Sequence, residues 1–451
     1  MGKKLVALLS ALFAKDASGK NWSNPHTKKL FKQIAIFSIA SQALLYLFSQ
    51  YGAGYQVFKF MFFSTGRFDD LRYGIVQNSY FFSPQLLDNE GFVGVASPPM
   101  IFMWRIYEIF VKTESALIIS LILTYLVLAL VVWLATKDIY ATIFLLTLHP
   151  ILFTFARGNP DMWVLIATCI AGIALIRGKN WVVAVMFGLM SALKFPFLLF
   201  GLIFLFRKDL KNLALQGVIT IVVFFLPLFG KPWGIVEQIN VFNTMVARYY
   251  QQYVIGDAGM MFNVSLFGLE KPLMYLLQGN SLLTVDQARD VAITALTVQI
   301  VSLILLSVLL LAVPVYQRIK TSKSSNTQLS SSSETDLYLV FFLFLALLQC
   351  LFPQIAAEYR LAQLVVIVAL LYSVRSRFLE NRFNLIVLTL IFLPKHFLVI
   401  SFPAGVANIA TISSFISPVL LTFLAFRIQK YLSKYGFYSK LLDAARILKK
   451  Q

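Results

Sequence analysis

The run SALIISLILTYLVLALVVWLA, residues 115–135, constrains the fold of this chain more than any other stretch. It carries no charge and reaches the ~20 apolar residues that take a helix across a bilayer. A second run, VAITALTVQIVSLILLSVLLLAVPV at 291–315, does the same. Inside lipid every backbone N–H and C=O must be bonded internally, so such segments are helices. The rest of the chain obeys the same solvent: 59% of 451 residues are hydrophobic, 13% are charged, and the mean hydropathy is +0.77. These values exclude a soluble multidomain enzyme and indicate an all-α polytopic membrane protein. Cys169 and Cys350 both lie within apolar segments, which argues against a disulfide framework. His26, His149 and His396 are too few and too scattered for a zinc site.

Twelve spans are expected, near 34–50, 115–135, 139–156, 162–177, 181–193, 196–206, 214–229, 291–315, 337–352, 361–374, 383–402 and 405–427. With the amino terminus inside, the inner segments are 1–33, 136–138, 177–180, 207–211, 316–336, 375–382 and 427–451. They hold 26 Lys and Arg against 7 acids, while the remainder holds 13 of each. The net charge of +19 therefore falls on one face, as the positive-inside rule requires. That asymmetry points to anionic inner-leaflet lipid as a partner rather than nucleic acid. Both termini are expected in the cytoplasm of a cell that carries the chain in its inner or plasma membrane.

The chain divides into a cytoplasmic amphipathic N-terminus (1–33), a transmembrane module (34–230) with a first outer loop (51–114), and a second outer loop (231–290). C-terminal transmembrane helices (291–427) follow, with a Ser-rich cytoplasmic linker (316–336), and then a basic cytoplasmic tail (428–451). The start, MGKKLVALLSALFAKDASGK, has the basic and apolar order of a signal peptide. Basic residues continue to the first span, however, so an interfacial helix is expected there. SPPMIFMWRIYEIFV (97–111) is too short and too charged to span and is expected as a helix at the outer interface.

Segments 181–193 and 196–206 are both apolar, yet basic inner flanks enclose them at Arg177/Lys179 and Arg207/Lys208. Two full spans need ~40 residues, so this pair is expected as a short hairpin with LKFP (193–196) at its tip. The tip carries Lys194, and an ammonium within a membrane must meet an anion or water. Other charges fall at the outer level. Asp69 and Asp70 occur in FFSTGRFDDLRYGIVQ (62–77), and Arg157, Asn159 and Asp161 share the turn FARGNPDMWV (155–164). Glu358, Tyr359 and Arg360 open a helix in PQIAAEYRLAQL (353–364), and Lys395 and His396 interrupt the apolar LPKHFLV (393–399). Singly these are ordinary caps and turn residues. Together they put acids and bases at one level, where cations can hold a lipid phosphate and a carboxylate can take a proton. That is the chemistry of sugar transfer from a lipid-linked phosphate.

The order of these features resembles the GT-C membrane glycosyltransferases, and most closely glycosyltransferase family 87, the polyprenol-phosphate-mannose-dependent mannosyltransferases. RFDDLRY, SPPM (where that family usually has Tyr-Pro-Pro), RGNPD, GLMSALKFPFLL (188–199) and MFNVSLFGL (261–269) carry the resemblance, over roughly residues 30–270. It implies a GT-C-like fold and inverting transfer of mannose or another hexose at the outer face. The donor would be a polyprenyl-phosphate-linked sugar, the acceptor a lipid-linked or glycan hydroxyl, with no covalent nucleophile. It implies Asp70 as base, because Asp70 and Tyr73 match the family's Asp-x-x-Tyr spacing better than Asp69 does; the doublet keeps Asp69 as the alternative. Asp161 becomes a supporting acid that orients Arg157, the acceptor or a divalent cation, the one cofactor left open. Lys194, Arg157, Arg360, Lys395 and His396 are candidates for the donor phosphate. Asn159, Tyr73, Asn263, Glu358 and Tyr359 are candidates for substrate binding, and no metal-ligand set is assigned.

The competing expectation is a transporter or flippase for a lipid-linked glycan, with a non-catalytic assembly subunit a distant third. Transporters carry midplane charges on broken helices, often in repeated halves, a role Lys194 and Lys395 could fill. Here the charges cluster in outer loops and the halves do not repeat. Convergence of Asp70, Asp161, Lys194 and Arg360 on one outward cavity would separate these classes.

Overall fold

The computed structural model describes residues 97–110, 113–230, 233–249, 263–266, 268–269, 331–352, 360–393, 399–401, 409–435 and 437, with scattered positions between 29 and 43. The first helices are α1 (Pro98–Phe110), α2 (Glu114–Thr136), α3 (Ile139–Thr147), α4 (His149–Ala156), α5 (Asp161–Ile176) and α6 (Asn180–Leu193). A 3₁₀ segment (Phe195–Gly201) leads into α7 (Leu202–Arg207), followed by α8 (Leu210–Phe225), a second 3₁₀ turn (Leu226–Gly230) and α9 (Ile235–Tyr249). Then come α10 (Ser331–Leu351), α11 (Leu361–Ser373), α12 (Arg377–Glu380), α13 (Arg382–Phe392), strands β1 (Val399–Ser401) and β2 (Ile409–Thr411), and α14 (Ile412–Lys434). Four described helices are long and apolar enough to cross a membrane: Ser115–Thr136, Leu210–Phe229, Glu334–Leu351 and Ser413–Lys434.

Burial ranks these helices. The apolar window of α10 is 83% buried, against 33% for α2 and 17% for the α8 segment, so α10 is central and the other two are peripheral. α11 is buried at every position from Leu361 to Tyr372. On α2 the exposed apolar residues include Ile119, Ile122, Leu123, Leu126, Val127, Leu130 and Trp133, and on α8 they include Val218, Ile221, Val222 and Phe225. Spacings of three and four put each set on one helix face, an apolar stripe that suits contact with lipid. α6 and α8 pack closely because Gly188 presents no side chain: a Cβ there would lie 2.7 Å from Ile219 Cβ and 3.0 Å from the Gln216 carbonyl.

Helix ends fall at two levels. At one level Tyr372 donates to Asp138 (2.9 Å), Arg207 to Asn180 Oδ1 (2.5 Å), Asn180 to Asp209 (2.8 Å) and Tyr431 to Asp336 (2.5 Å). Lys137, Arg177, Lys179, Lys208, Arg375 and Arg377 flank the same helix ends. α5 runs from Asp161 to this basic level, Gly178 turns the chain at φ +67°, and α6 returns to Lys194. Asp161, Lys194 and Arg360 stand at the opposite level.

Several expected boundaries change. The segment 139–156 breaks at Leu148, which is extended (φ −67°, ψ 140°). Pro150 has no N–H for the Leu146 carbonyl, which would be its helical partner; the Tyr125 hydroxyl donates to that carbonyl instead, at 2.9 Å. The expected span 383–402 ends as helix at Phe392. Leu393 is extended (φ −67°, ψ 145°) because it precedes Pro394. An all-α chain was expected, but β1 pairs antiparallel with β2, Ile400 opposite Ala410, and helix resumes only at Ile412 and continues to Lys434. β-branched Ile409 and Thr411 favour that extended stretch. α10 starts at Ser331, inside the expected linker, with Glu334 in a first turn whose exposed N–H groups favour an acid. The expected span 291–315, and most of that at 34–50, lie outside the described residues.

Candidate functional site

The turn RGNPD builds one half of the site. Arg157 closes α4, its backbone N–H donating to the Phe153 carbonyl, and Gly158 turns the chain at φ +62°, a conformation that suits glycine. Asn159 is 5% exposed and its Oδ1 accepts the Asp161 N–H at 2.9 Å, satisfying one of the first amides of α5. The carboxylate of Asp161 is thereby set at a helix N-terminus, where the dipole favours negative charge.

Lys194 builds the other half. α6 stops at Leu193, and Lys194 is extended (φ −148°, ψ 112°) before Phe195-Pro196 opens the 3₁₀ segment. Its ammonium stands at the C-terminal, negative end of α6 and meets Asp161: Lys194 Nζ lies 2.5 Å from Asp161 Oδ1. The Asp161 side chain is 0% exposed and that of Lys194 is 18% exposed. Asp161, the supporting acid expected to orient Arg157, the acceptor or a divalent cation, pairs here with Lys194, an ammonium remote from it in sequence.

Two further groups join this level. Ser97 Oγ donates to the Leu193 carbonyl at 2.8 Å, which ties the start of α1 to the hairpin tip. SPPM gives no local sign of this tether, because its acceptor lies on another helix. Arg360, at the start of α11, donates to the Gln349 carbonyl of α10 at 3.2 Å. The buried thiol of Cys350 lies within electrostatic reach of both Asp161 and Arg360, so the structure brings Asp161, Lys194 and Arg360 into one neighbourhood.

Asn263 is engaged in its own turn: its Oδ1 accepts from the Ser265 N–H (3.1 Å) and hydroxyl (2.8 Å). Asp69, Asp70, Tyr73, Glu358, Tyr359, Lys395 and His396 lie outside the described residues. A described cleft of about 630 Å³ lies at the basic level instead, lined by Asn180, Arg207, Lys208, Asp209, Glu334 and Tyr338 among others. Among the described residues no three His, Cys, Asp or Glu side chains could hold a metal ion. A divalent cation at Asp161 would stand against the Lys194 ammonium with a single carboxylate as its ligand, so the residues described there do not fit one.

Comparison with known families adds the identity. The model of glycosyltransferase family 87 matches residues 98–331, more than half of the chain. The chain belongs to glycosyltransferase family 87. No curated protein and no solved structure matches it. As a family 87 member with these apolar helices, the chain is a membrane glycosyltransferase. The match begins at Pro98 of SPPM and takes in the RGNPD turn and Lys194. Asp69, Asp70 and Tyr73 precede it, and Arg360, Lys395 and His396 follow it.

Proposed function

We propose that this family 87 enzyme moves a hexose, mannose foremost, from a polyprenyl-phosphate donor to a lipid-linked or glycan acceptor at the outer face of the cell membrane. The chain has about twelve spans in this proposal and both termini are cytoplasmic. The basic helix ends lie opposite Asp161 and Lys194, which under the positive-inside rule supports an outer site.

The observation that carries the proposal is the buried Asp161–Lys194 pair on two adjacent helix ends. A charge pair inside an apolar bundle costs desolvation and adds little to stability, so its presence argues for use. An ammonium has three N–H donors and can serve a carboxylate and a phosphate oxygen together. Asp161 orients Lys194, and Lys194 with Arg157 and Arg360 neutralises the donor phosphate. Asp70, with Asp69 as the alternative, takes the acceptor's hydroxyl proton. The acceptor oxygen then bonds to the anomeric carbon with inversion while the carbon–oxygen bond to phosphate breaks, and polyprenyl phosphate leaves with the electron pair.

The test is incubation of the purified full chain in lipid nanodiscs with an envelope lipid extract as acceptor and single synthetic polyprenyl-phosphate hexoses, mannose first. Consumption of a donor, with release of polyprenyl phosphate, is expected. Failure to consume any member of the panel overturns the proposal.

A further inference from the structure

Three buried side chains at the site level carry polar atoms that the protein itself does not satisfy. Gln349, in the last turn of α10, is 3% exposed, and neither its Oε1 nor its Nε2 has a hydrogen-bond partner. Gln363, in the first turn of α11, is 2% exposed and its Nε2 has none. Asp161, the first residue of α5, offers Oδ1 to Lys194, but its Oδ2 has no hydrogen-bond partner. These positions share a neighbourhood: Arg360 donates to the backbone carbonyl of Gln349, and Cys350, the next residue, is within electrostatic reach of Asp161 and Arg360. α11 packs against both α10 and α5, so the three helix ends meet at one level.

Folded proteins leave few buried polar atoms without a partner. A glutamine with both ends of its amide buried and unmatched is worse for stability than a leucine of similar size. The whole Gln349 amide, the Gln363 Nε2 and the second Asp161 oxygen, on helix ends that meet at one level, describe a polar surface that awaits a partner. The chemistry of that partner is constrained. Amide Nε2 groups donate, while Gln349 Oε1 and Asp161 Oδ2 accept, so the ligand must both give and receive hydrogen bonds. A phosphate has only acceptors at neutral pH and would be repelled by Asp161. Hydroxyl groups on a neutral ring satisfy every atom named.

We propose that Gln349 and Gln363, with Asp161 Oδ2, bind hydroxyls of the donor's sugar ring while Lys194 and Arg360 hold its phosphate. This sugar-binding floor rests on the transfer reaction proposed above, and both glutamines lie beyond the stretch that matches family 87. The floor accounts for discrimination among hexoses, since a site built to hydrogen-bond a hydroxyl rejects an analogue that lacks it.

The test replaces each amide by an apolar side chain of similar volume, Gln349→Leu and Gln363→Leu, in the full chain in nanodiscs. Gln349→Met and Gln363→Met repeat it with a flexible side chain of near-equal length, should a leucine not be accommodated. Binding of polyprenyl-phosphate mannose and of polyprenyl phosphate without sugar is measured, together with KM, kcat and the unfolding midpoint. The wild type is expected to bind the sugar-bearing lipid more tightly. Each variant should lose about tenfold of that preference and of kcat/KM, bind the bare lipid phosphate normally, and unfold at the same or a higher temperature. Variants with raised midpoints and unchanged kcat/KM would show that the amides meet only internal water, and the inference would fall while the transferase proposal stood. A wild type that binds both lipids equally overturns it as well. Absence of donor consumption by the wild type overturns the transfer itself.

Discussion

Neutralising Lys194 should destabilise the protein more than neutralising its partner. In Lys194→Met the Asp161 carboxylate loses its ion pair while remaining 0% exposed, and neither oxygen has a hydrogen bond to fall back on. Removing one member of a buried pair typically costs ~3–5 kcal/mol. The N-terminal dipole of α5 offsets up to ~2 kcal/mol of that, which leaves about 3 kcal/mol. In Asp161→Asn the orphan is an ammonium with 18% of its side chain exposed, which water reaches. An asparagine oxygen also still accepts from it, so a loss of about 1 kcal/mol is expected. The double variant buries no unpaired charge and should recover most of the Lys194→Met loss, a coupling of ~2 kcal/mol or more. Cys169 and Cys350 are unpaired, buried thiols and report unfolding through a thiol-reactive dye during a thermal ramp in detergent. A 3 kcal/mol loss lowers the midpoint on the order of 5 °C in a chain this large. A cycle without coupling, or Asp161→Asn unfolding below Lys194→Met, would refute the reasoning.

Asp70→Asn is expected to reduce kcat by ~10²–10⁴-fold with donor binding intact, while Asp69→Asn keeps most activity; the reverse pattern in steady-state kinetics would assign the base to Asp69. Lys179→Cys, at the exposed basic level, should react with an impermeant maleimide only from the cytoplasmic side and Asn240→Cys on α9 only from outside; labelling of Lys179→Cys from outside would invert the topology. Gly188→Ala should lower the unfolding midpoint and the yield of folded protein, because the new methyl meets a Cβ and a backbone carbonyl that cannot swing away; an unchanged midpoint would mean α6 and α8 part easily. Burial works against ionisation of Asp209, but hydrogen bonds from Asn212 and Asn180 and the nearby Arg207 outweigh it and hold its carboxyl below the usual range. A depressed folded value means that its cap of α8 contributes fully above about pH 4 and is lost as pH falls through that value. The acid-induced fall in midpoint should therefore be smaller in Asp209→Asn than in the wild type.

Much of the fold was legible because lipid is a severe solvent. The run at 115–135 had no option but helix, and α2 covers it. The hairpin at 181–206 followed from arithmetic: too few residues between basic flanks for two crossings, with Phe195-Pro196 as the break. Boundaries set by remote groups were less legible. Pro150 marked a weakness in 139–156, but Tyr125, on another helix, supplies the hydrogen bond that stabilises the break there. Pro394 similarly foretold a helix end, whereas the β1–β2 pairing depends on two segments meeting.

The candidate site divides along the same line. Composition determined a membrane chain, and charge placement gave the expectation that its basic residues gather on one face, because the apolar length of each helix and the cost of a charge in lipid are local quantities. Lys194 could be marked as needing an anion for the same reason. Which anion it met was decided by tertiary structure: α5 and α6 run antiparallel around Gly178 and bring Asp161 to it. The glutamines show the distinction most plainly. In sequence, Gln349 and Gln363 are single polar residues at helix ends, where water ordinarily satisfies them. Only the meeting of α10, α11 and α5 removes that water, and desolvation turns two unremarkable amides into groups that require a ligand.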